Sequence, residues 1–282
     1  MSAPAGSSVR PTSAGPSLAE RVRNELNDGV VMTWRNLMRW VRLPQLVVVS
    51  TIQPIIFVLL FNFVFGGPID IPGIDNYIDY LLAGIFVQTA TFGATQTGVA
   101  LSEDLQRGVI DRFRSLPMSR SAVLAGRTTA DAVRGAFVVL LITVVGLLLG
   151  FRFGGTVLGA LTALVLVVAF GFALSWISAI VGMTMKSPEA AQAASFVWVF
   201  PFVFASSAFV PTATMPPWLA AFAANQPVSA VANAVRALLL GAPGEAIGGG
   251  STLALTGRAA LWIAGILAVA FPLAIRRYRR AV

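Results

Sequence analysis

A chain of 282 residues that is 56% hydrophobic and only 11% charged has too little charge to cover a water-facing surface, since a soluble domain carries roughly 45–50% apolar and about 25% charged residues. The net charge is +8, but the arginines sit between apolar runs rather than on one basic face, which argues against nucleic acid. The chain has no His and no Cys, so thiol chemistry, Ser-His-Asp sets and the usual metal clusters cannot be assembled.

Residues 1–17, rich in Ser, Pro, Ala and Gly, lack the apolar core of a signal peptide and read as a disordered cytoplasmic tail. Residues 18–45 follow as an amphipathic segment. Leu18, Val22, Leu26, Val30, Trp34, Leu37 and Val41 recur at helical spacing, with Arg21, Arg35, Arg39 and Arg42 mostly off that stripe. This is the pattern of a helix lying in the membrane interface; a solvent-exposed helix packed on a partner is the alternative. Asp28-Gly29 is a candidate interruption.

A helix crossing the hydrocarbon core needs about 20 mostly apolar residues. The membrane domain, 46–282, divides into six such spans at about 46–66, 80–101, 132–151, 157–183, 191–211 and 257–275. A tight turn at Gly154-Gly155 joins the third to the fourth. The fold class is therefore an all-α membrane protein. Basic residues fix its orientation. They crowd the segment before the first span, the loop after the second (Arg107, Arg112, Arg114, Arg120, Arg127), the loop with Lys186 and the C-terminus (Arg276, Arg277, Arg279, Arg280). Residues 67–79 carry only Asp70, Asp75 and Asp79, and the turn after the third span has only Arg152. Both termini are expected in the cytoplasm.

Residues 212–256 hold two apolar segments, 213–224 and 228–240, each too short to cross. Pro216-Pro217, Asn225-Gln226-Pro227 and Gly241 with Pro243 mark a start, a turn and a stop. A re-entrant helical hairpin dipping into the outer leaflet fits; a plain external loop is the alternative.

Little in this chain could do chemistry. Lys186 is the only Lys and follows Met185, whereas a phosphate-binding Walker loop needs Gly there; the chain is expected to bind no cofactor, and any ATP and Mg would sit on another subunit. The expected spans contain no acid near mid-membrane. Asp131 falls at the cytoplasmic edge, within helical reach of Arg127 and Arg134. This weakens the reading as an ion-coupled secondary transporter.

The loop at 101–120 is the sharpest feature. Leu101, Leu105, Val109, Phe113 and Leu116 form an apolar face, Glu103/Arg107 and Asp111/Arg114 can pair on the other, and Pro117 should end the helix. Such a helix suits docking on a soluble partner; a solvated connector is the alternative.

The acidic start, Gly108, Arg112-Phe113-Arg114 and Leu116-Pro117-Met118-Ser119-Arg120 resemble the ABC type-2 exporter permeases. So do Pro216-Pro217-Trp218, Asn225-Gln226-Pro227-Val228-Ser229 and Val235-Arg236-Ala237-Leu238-Leu239-Leu240-Gly241. The resemblance covers about residues 20–280 and is greatest to the daunorubicin-resistance type. It implies a pair of permease chains, homo- or heterodimeric, in a bacterial plasma membrane. Two separate ATP-binding-cassette subunits would drive export of a lipophilic drug, polyketide or glycolipid. Glu103, Arg107, Asp111, Arg112, Phe113, Arg114, Leu116 and Pro117 would couple to the ATPase.

Two helix faces are candidates for the cargo path. Gly84, Gln88, Thr91, Thr95, Gly98 and Ser102 line one face of the second span, as either a polar cavity wall or a packing seam. Phe196, Phe200 and Phe204 line one face of the fifth, as either pore-lining or lipid-facing rings. A stand-alone secondary drug transporter and an intramembrane enzyme or scaffold remain the competing readings.

Overall fold

The computed structural model describes residues 18–67, 71, 73–108 and 120–281, and all regular structure among them is helical. The elements are α1 (Leu18–Arg42), α2 (Pro44–Phe65), α3 (Tyr77–Gln106), α4 (Arg120–Leu148), α5 (Val157–Gly182), α6 (Pro188–Phe204), a 3-10 turn (Thr212–Thr214), α7 (Pro217–Ala224), α8 (Pro227–Leu240), α9 (Ala242–Gly248) and α10 (Thr252–Ala281). The expected tail, 1–17, lies outside the described residues.

Among the described residues, three stretches are long and apolar enough to cross a bilayer unaided: Ala125–Leu148 in α4, Val157–Gly182 in α5 and Thr252–Tyr278 in α10. Shorter apolar stretches are Ser50–Phe65 and Pro227–Leu240. Ile52, Leu60, Leu140, Leu158, Leu261 and Val269 are exposed on the outer faces of α2, α4, α5 and α10. So much exposed apolar surface has no place in water; the helices are built for lipid.

The centre is α3, which packs against α2, α4, α5, α6 and α8. Because other helices rather than lipid surround it, it tolerates Gln88, Thr91, Thr95 and Thr97, all buried. Glycine sets two of its crossings. A Cβ on Gly84 would stand 1.8 Å from the Ala208 carbonyl oxygen, and one on Gly98 would stand 2.2 Å from that of Ser178. Only hydrogen at these positions lets backbone approach so closely.

Several helix limits differ from the expected spans. α3 runs on to Gln106 and stops at Gly108, whose φ of +64° is left-handed. The presumed coupling helix thus begins as the last turn of α3. α4 starts at Arg120, twelve residues before its expected apolar span. α6 ends at Phe204 rather than 211, after Pro201 in its final turn; proline removes a helical donor, and residues 205–211 are irregular. α10 extends well past both expected limits. Gly29 does not interrupt α1, because α1 crosses α4 there. Thr33 Oγ1 donates to Gly29 O (2.8 Å) and Gly126 O (3.1 Å), and a Cβ on Gly126 would lie 2.6 Å from that of Met32.

The turn between α4 and α5 closes on α8. The Gly154 and Gly155 amides both donate to Leu239 O, at 3.1 and 2.9 Å, satisfying a carbonyl that the end of α8 leaves free. Asn225, before α8, sits beside α10, where Arg258 donates to Ala224 O (2.8 Å) and Asn225 Oδ1 (3.2 Å). At the start of α10, the Thr252 amide and hydroxyl donate to Glu245 Oε1 (2.6 and 2.7 Å); these bonds hold the Glu245 carboxyl below its ordinary pKa.

Candidate functional site

The middle of α3 faces a cavity of about 350 Å³ shared with α1, α2, α4, α5 and α6. Of the expected pathway residues, Gln88, Thr95 and Phe196 line it. Thr91 does not; its hydroxyl donates back to Val87 O at 2.7 Å. Phe200 and Phe204 lie outside the lining and are about half exposed. They continue a ring ladder from Phe196, with centroids 5.5 and 5.3 Å apart. Phe92 meets Phe200 edge-on at 5.4 Å. The seam of α3 is thus mixed: Gly84 and Gly98 pack backbone, while Gln88 and Thr95, both buried, lie on the cavity lining, with the Thr95 hydroxyl donating to Phe92 O at 2.7 Å.

Among the described residues, the charged members of the lining are Asp131 and Arg134, which pair at 3.0 Å. Thr97 Oγ1 donates to the other Asp131 oxygen at 2.5 Å. Of the two arginines within helical reach of Asp131, Arg134 is the one that pairs with it. Arg127 does not join this pair; it bonds Asp104 at the end of α3.

Outside the cavity lining, a polar pin holds the break after α6. Arg236 of α8 is fully buried (0% exposed). All its donors are used: Nε to Tyr80 O (3.1 Å), Nη1 to Asn233 Oδ1 (2.9 Å) and Ser207 Oγ (3.4 Å), and Nη2 to Ser207 O (2.6 Å) and Ala208 O (2.9 Å). The guanidinium also lies 3.7 Å from the Tyr80 ring centroid. Tyr80 and Tyr77 donate to Ser207 O (2.6 Å) and Phe209 O (2.8 Å), and Gln226 Nε2 donates to Phe202 O (2.7 Å) and Ala205 O (3.2 Å). Irregular backbone buried among apolar helices survives only where protein satisfies it in this way.

At the other end of the bundle, Glu103 and Arg107 pair at 2.5 Å, and Gln106 Nε2 donates to Lys186 O at 2.7 Å. The end of α3, the start of α4 and the α5–α6 loop therefore meet. Asp111, Arg112, Phe113, Arg114, Leu116 and Pro117 lie outside the described residues.

The ABC-2 type transporter family matches residues 29–240, three-quarters of the chain. The chain belongs to that family. This ABC-2 type chain is 37% identical to the daunorubicin resistance ABC transporter permease protein DrrB1 of Streptomyces coeruleorubidus, over 87% of its own length and 84% of that protein. It is 29% identical to the probable doxorubicin resistance ABC transporter permease protein DrrC of Mycobacterium tuberculosis H37Rv (89% and 88%). It is 28% identical to the putative transport permease ycf38 of Porphyra purpurea (69% and 68%). Family and apolar helices together make the chain a multi-pass membrane permease; its relatives are transport subunits rather than enzymes.

Sequence reading of this permease missed two groups. Gln53, Gln96, Gln192 and Trp40 also line the cavity; glutamines inside apolar runs were the available signal. Arg236 stood in the Val235–Gly241 motif with no role of its own, although an arginine within a short apolar helix signals a buried polar network.

Proposed function

We propose that this chain is one of two permease subunits of an ATP-driven exporter that moves a lipophilic drug, polyketide or glycolipid out of the cytoplasm. The cavity carries this reading: mixed polar and aromatic walls inside a bundle of apolar helices give a cargo somewhere to sit. Relatives named for resistance to two drugs support a small-molecule cargo. ATP and Mg would bind a separate pair of nucleotide-binding subunits, whose closure shifts the permease pair between two packings by alternating access. The 101–120 loop would seat on those subunits.

The proposed setting is a bacterial plasma membrane, with six spans and both termini inside. The meeting of Arg107, Arg127 and Lys186 at one end supports it, as does the Arg152 amide bonding Asp79 at the other (3.2 Å). Val30, Trp34 and Val41 of α1 are exposed on the stripe expected to face lipid, which supports the interfacial helix. Asn225 lies at Arg258, six residues into α10, or about 9 Å along its axis. Leu240 returns to the Gly154 end. Both contacts support α7 and α8 as a re-entrant hairpin.

The deciding test is reconstitution in vesicles with and without the nucleotide-binding subunit. Export is expected only with that subunit and ATP. Ion-gradient transport by the permease alone would instead favour the secondary-transporter reading, for which Asp131, a carboxylate on the cavity wall, is the supporting observation.

Two further results are expected. Single cysteines at Asp75 and Ala246 should react with an impermeant label in intact cells, and those at Ser115 and Arg279 should not; external reaction at Ser115 would overturn the orientation. Reversing Arg112 and Arg114 to Glu should leave insertion intact but cut copurification with the ATPase and uncouple ATP hydrolysis from export. Truncating one partner of a buried interfacial pair costs about 2–5 kcal/mol. Unchanged pull-down and transport would make the loop a solvated connector.

A further inference from the structure

We propose that Asp104 and Arg127 are a gate pair: with Thr97 and Asp131 they close one end of the cavity, and their parting opens it between α3 and α4. This rests on the export reading, which gives the cavity a reason to open.

The first observation is where the lining stops. It ends at Gln96 on α3 and at Thr128 on α4. On each helix the next residue toward the Gln106 end is clamped to the other helix. Thr97 Oγ1 donates to Asp131 at 2.5 Å, and Arg127 donates to Asp104. Thr97 and Asp104 stand two turns apart on α3, and Arg127 and Asp131 one turn apart on α4, so each helix presents both of its groups on one face. Of the adjacent acids Glu103 and Asp104, Glu103 pairs inside α3 with Arg107, whereas Asp104 reaches across to α4.

The second observation is that the seams around this end are held by different means. Between α3 and α5, backbone meets backbone: a Cβ on Gly98 would stand 2.2 Å from Ser178 O, and one on Gly182 2.1 Å from Gly98 O. Between α1 and α4, a Cβ on Gly126 would lie 2.6 Å from that of Met32. Such packing cannot loosen without forfeiting its close contacts. Between α3 and α4 there is room instead. Gly93 and Gly135, both on the lining, have nothing within 4 Å of an added Cβ, and polar side chains bridge the gap. The side chains of Arg127 and Asp104 are 15% and 20% exposed, so water can take over their hydrogen bonds as they part. Farther along, a Cβ on Gly146 of α4 would stand 2.7 Å from Leu82 Cδ2 of α3, so the two helices are free to separate at the polar end alone. Asp104 also lies in the last turn of α3, just before the helix stops at Gly108. A subunit pulling on the 101–120 loop would act on this pair first.

The test adds single cysteines to the full-length permease, which has none of its own. Thr95→Cys reports on the lining, where Thr95 is buried. Arg277→Cys reports which side the gate end faces, because its neighbour Tyr278 shares a buried cluster with Leu101 and Leu105. An impermeant maleimide is supplied to sealed vesicles of either orientation, without nucleotide. Thr95→Cys should react slowly from both sides. Asp104→Asn, or Arg127→Gln from the other helix, should speed its reaction about tenfold, the weight of one charge-assisted hydrogen bond, and only from the side that labels Arg277→Cys. Glu103→Gln, which removes the same charge one residue away, should stay within about twofold. A pair that merely stabilised the fold would lower the melting temperature and leave this labelling unchanged. No acceleration by either gate variant, equal acceleration from both sides, or the same acceleration by Glu103→Gln would overturn the proposal. Because labelling is read on the permease alone, a failure here leaves ATP-driven export standing, and a failure of ATP-driven export leaves the labelling result standing.

Discussion

Arg236→Ala is expected to be the most damaging single change in α8, lowering stability by about 2–5 kcal/mol, the range for truncating a large buried side chain, with orphaned carbonyls adding to it. The Ala208 carbonyl loses its Nη2 donor, and the link from α8 to the α3 backbone at Tyr80 is cut. Arg236→Lys should be nearly as harmful. It keeps a charge at a site with no exposure while supplying fewer donors and no planar group to lie on Tyr80. Arg236→Met should be milder, because it fills the volume and removes the buried charge; apolar replacement of buried ionic groups is often tolerated. Its defect should be local, as faster hydrogen exchange over 205–211. Thermal melting of purified protein by size exclusion measures the first two variants, and exchange mass spectrometry the third. If Arg236→Lys melts with the unsubstituted protein, the planar five-donor geometry is not what holds the break.

Much of this architecture is written in local pattern. The apolar runs at 157–183 and 257–275 were legible because lipid imposes a length and a composition on any segment that faces it. Glycine and proline marked the turn at 154–155 and the short helices around 217–240. What was not legible came from burial by neighbours. α3 is too polar in the middle to be delimited by hydropathy, and its true length follows from being enclosed by other helices. The end of α6 at Phe204 could not be read from Pro201 alone, since proline is tolerated in spans when neighbours satisfy the freed groups. Here Gln226, Tyr77, Tyr80 and Arg236, from distant parts of the chain, do so. The candidate cavity divides the same way. The periodic face of α3 pointed to Gln88 and Thr95, but periodicity could not tell Gly98, pressed against α5, from Gln88, on the cavity lining.

That distinction predicts opposite outcomes for two glycines five residues apart on α3. At Gly98 an added methyl would stand 2.2 Å from Ser178 O, and the reciprocal position, Gly182, would place its own 2.1 Å from Gly98 O. Both obstacles are backbone within helices, so neither can rotate away. Gly98→Ala must push α3 and α5 apart where they cross. Overpacking of this kind costs about 1–3 kcal/mol, and the strain reaches Thr97, whose hydroxyl holds Asp131, and Leu101, which packs in a buried cluster with Trp176. Gly93 has nothing within 4 Å of an added Cβ, and alanine is the better helix former by about 0.8–1.0 kcal/mol. Gly93→Ala should therefore melt at or above the unsubstituted protein, and, because Gly93 lines the cavity, any change in its behaviour should be in cargo preference rather than folding. Gly98→Ala should melt several degrees lower and lose transport across all cargoes. Equal melting of the two variants would mean that α3 and α5 can separate freely, and that the face of α3 is not divided into a packing half and a cavity half.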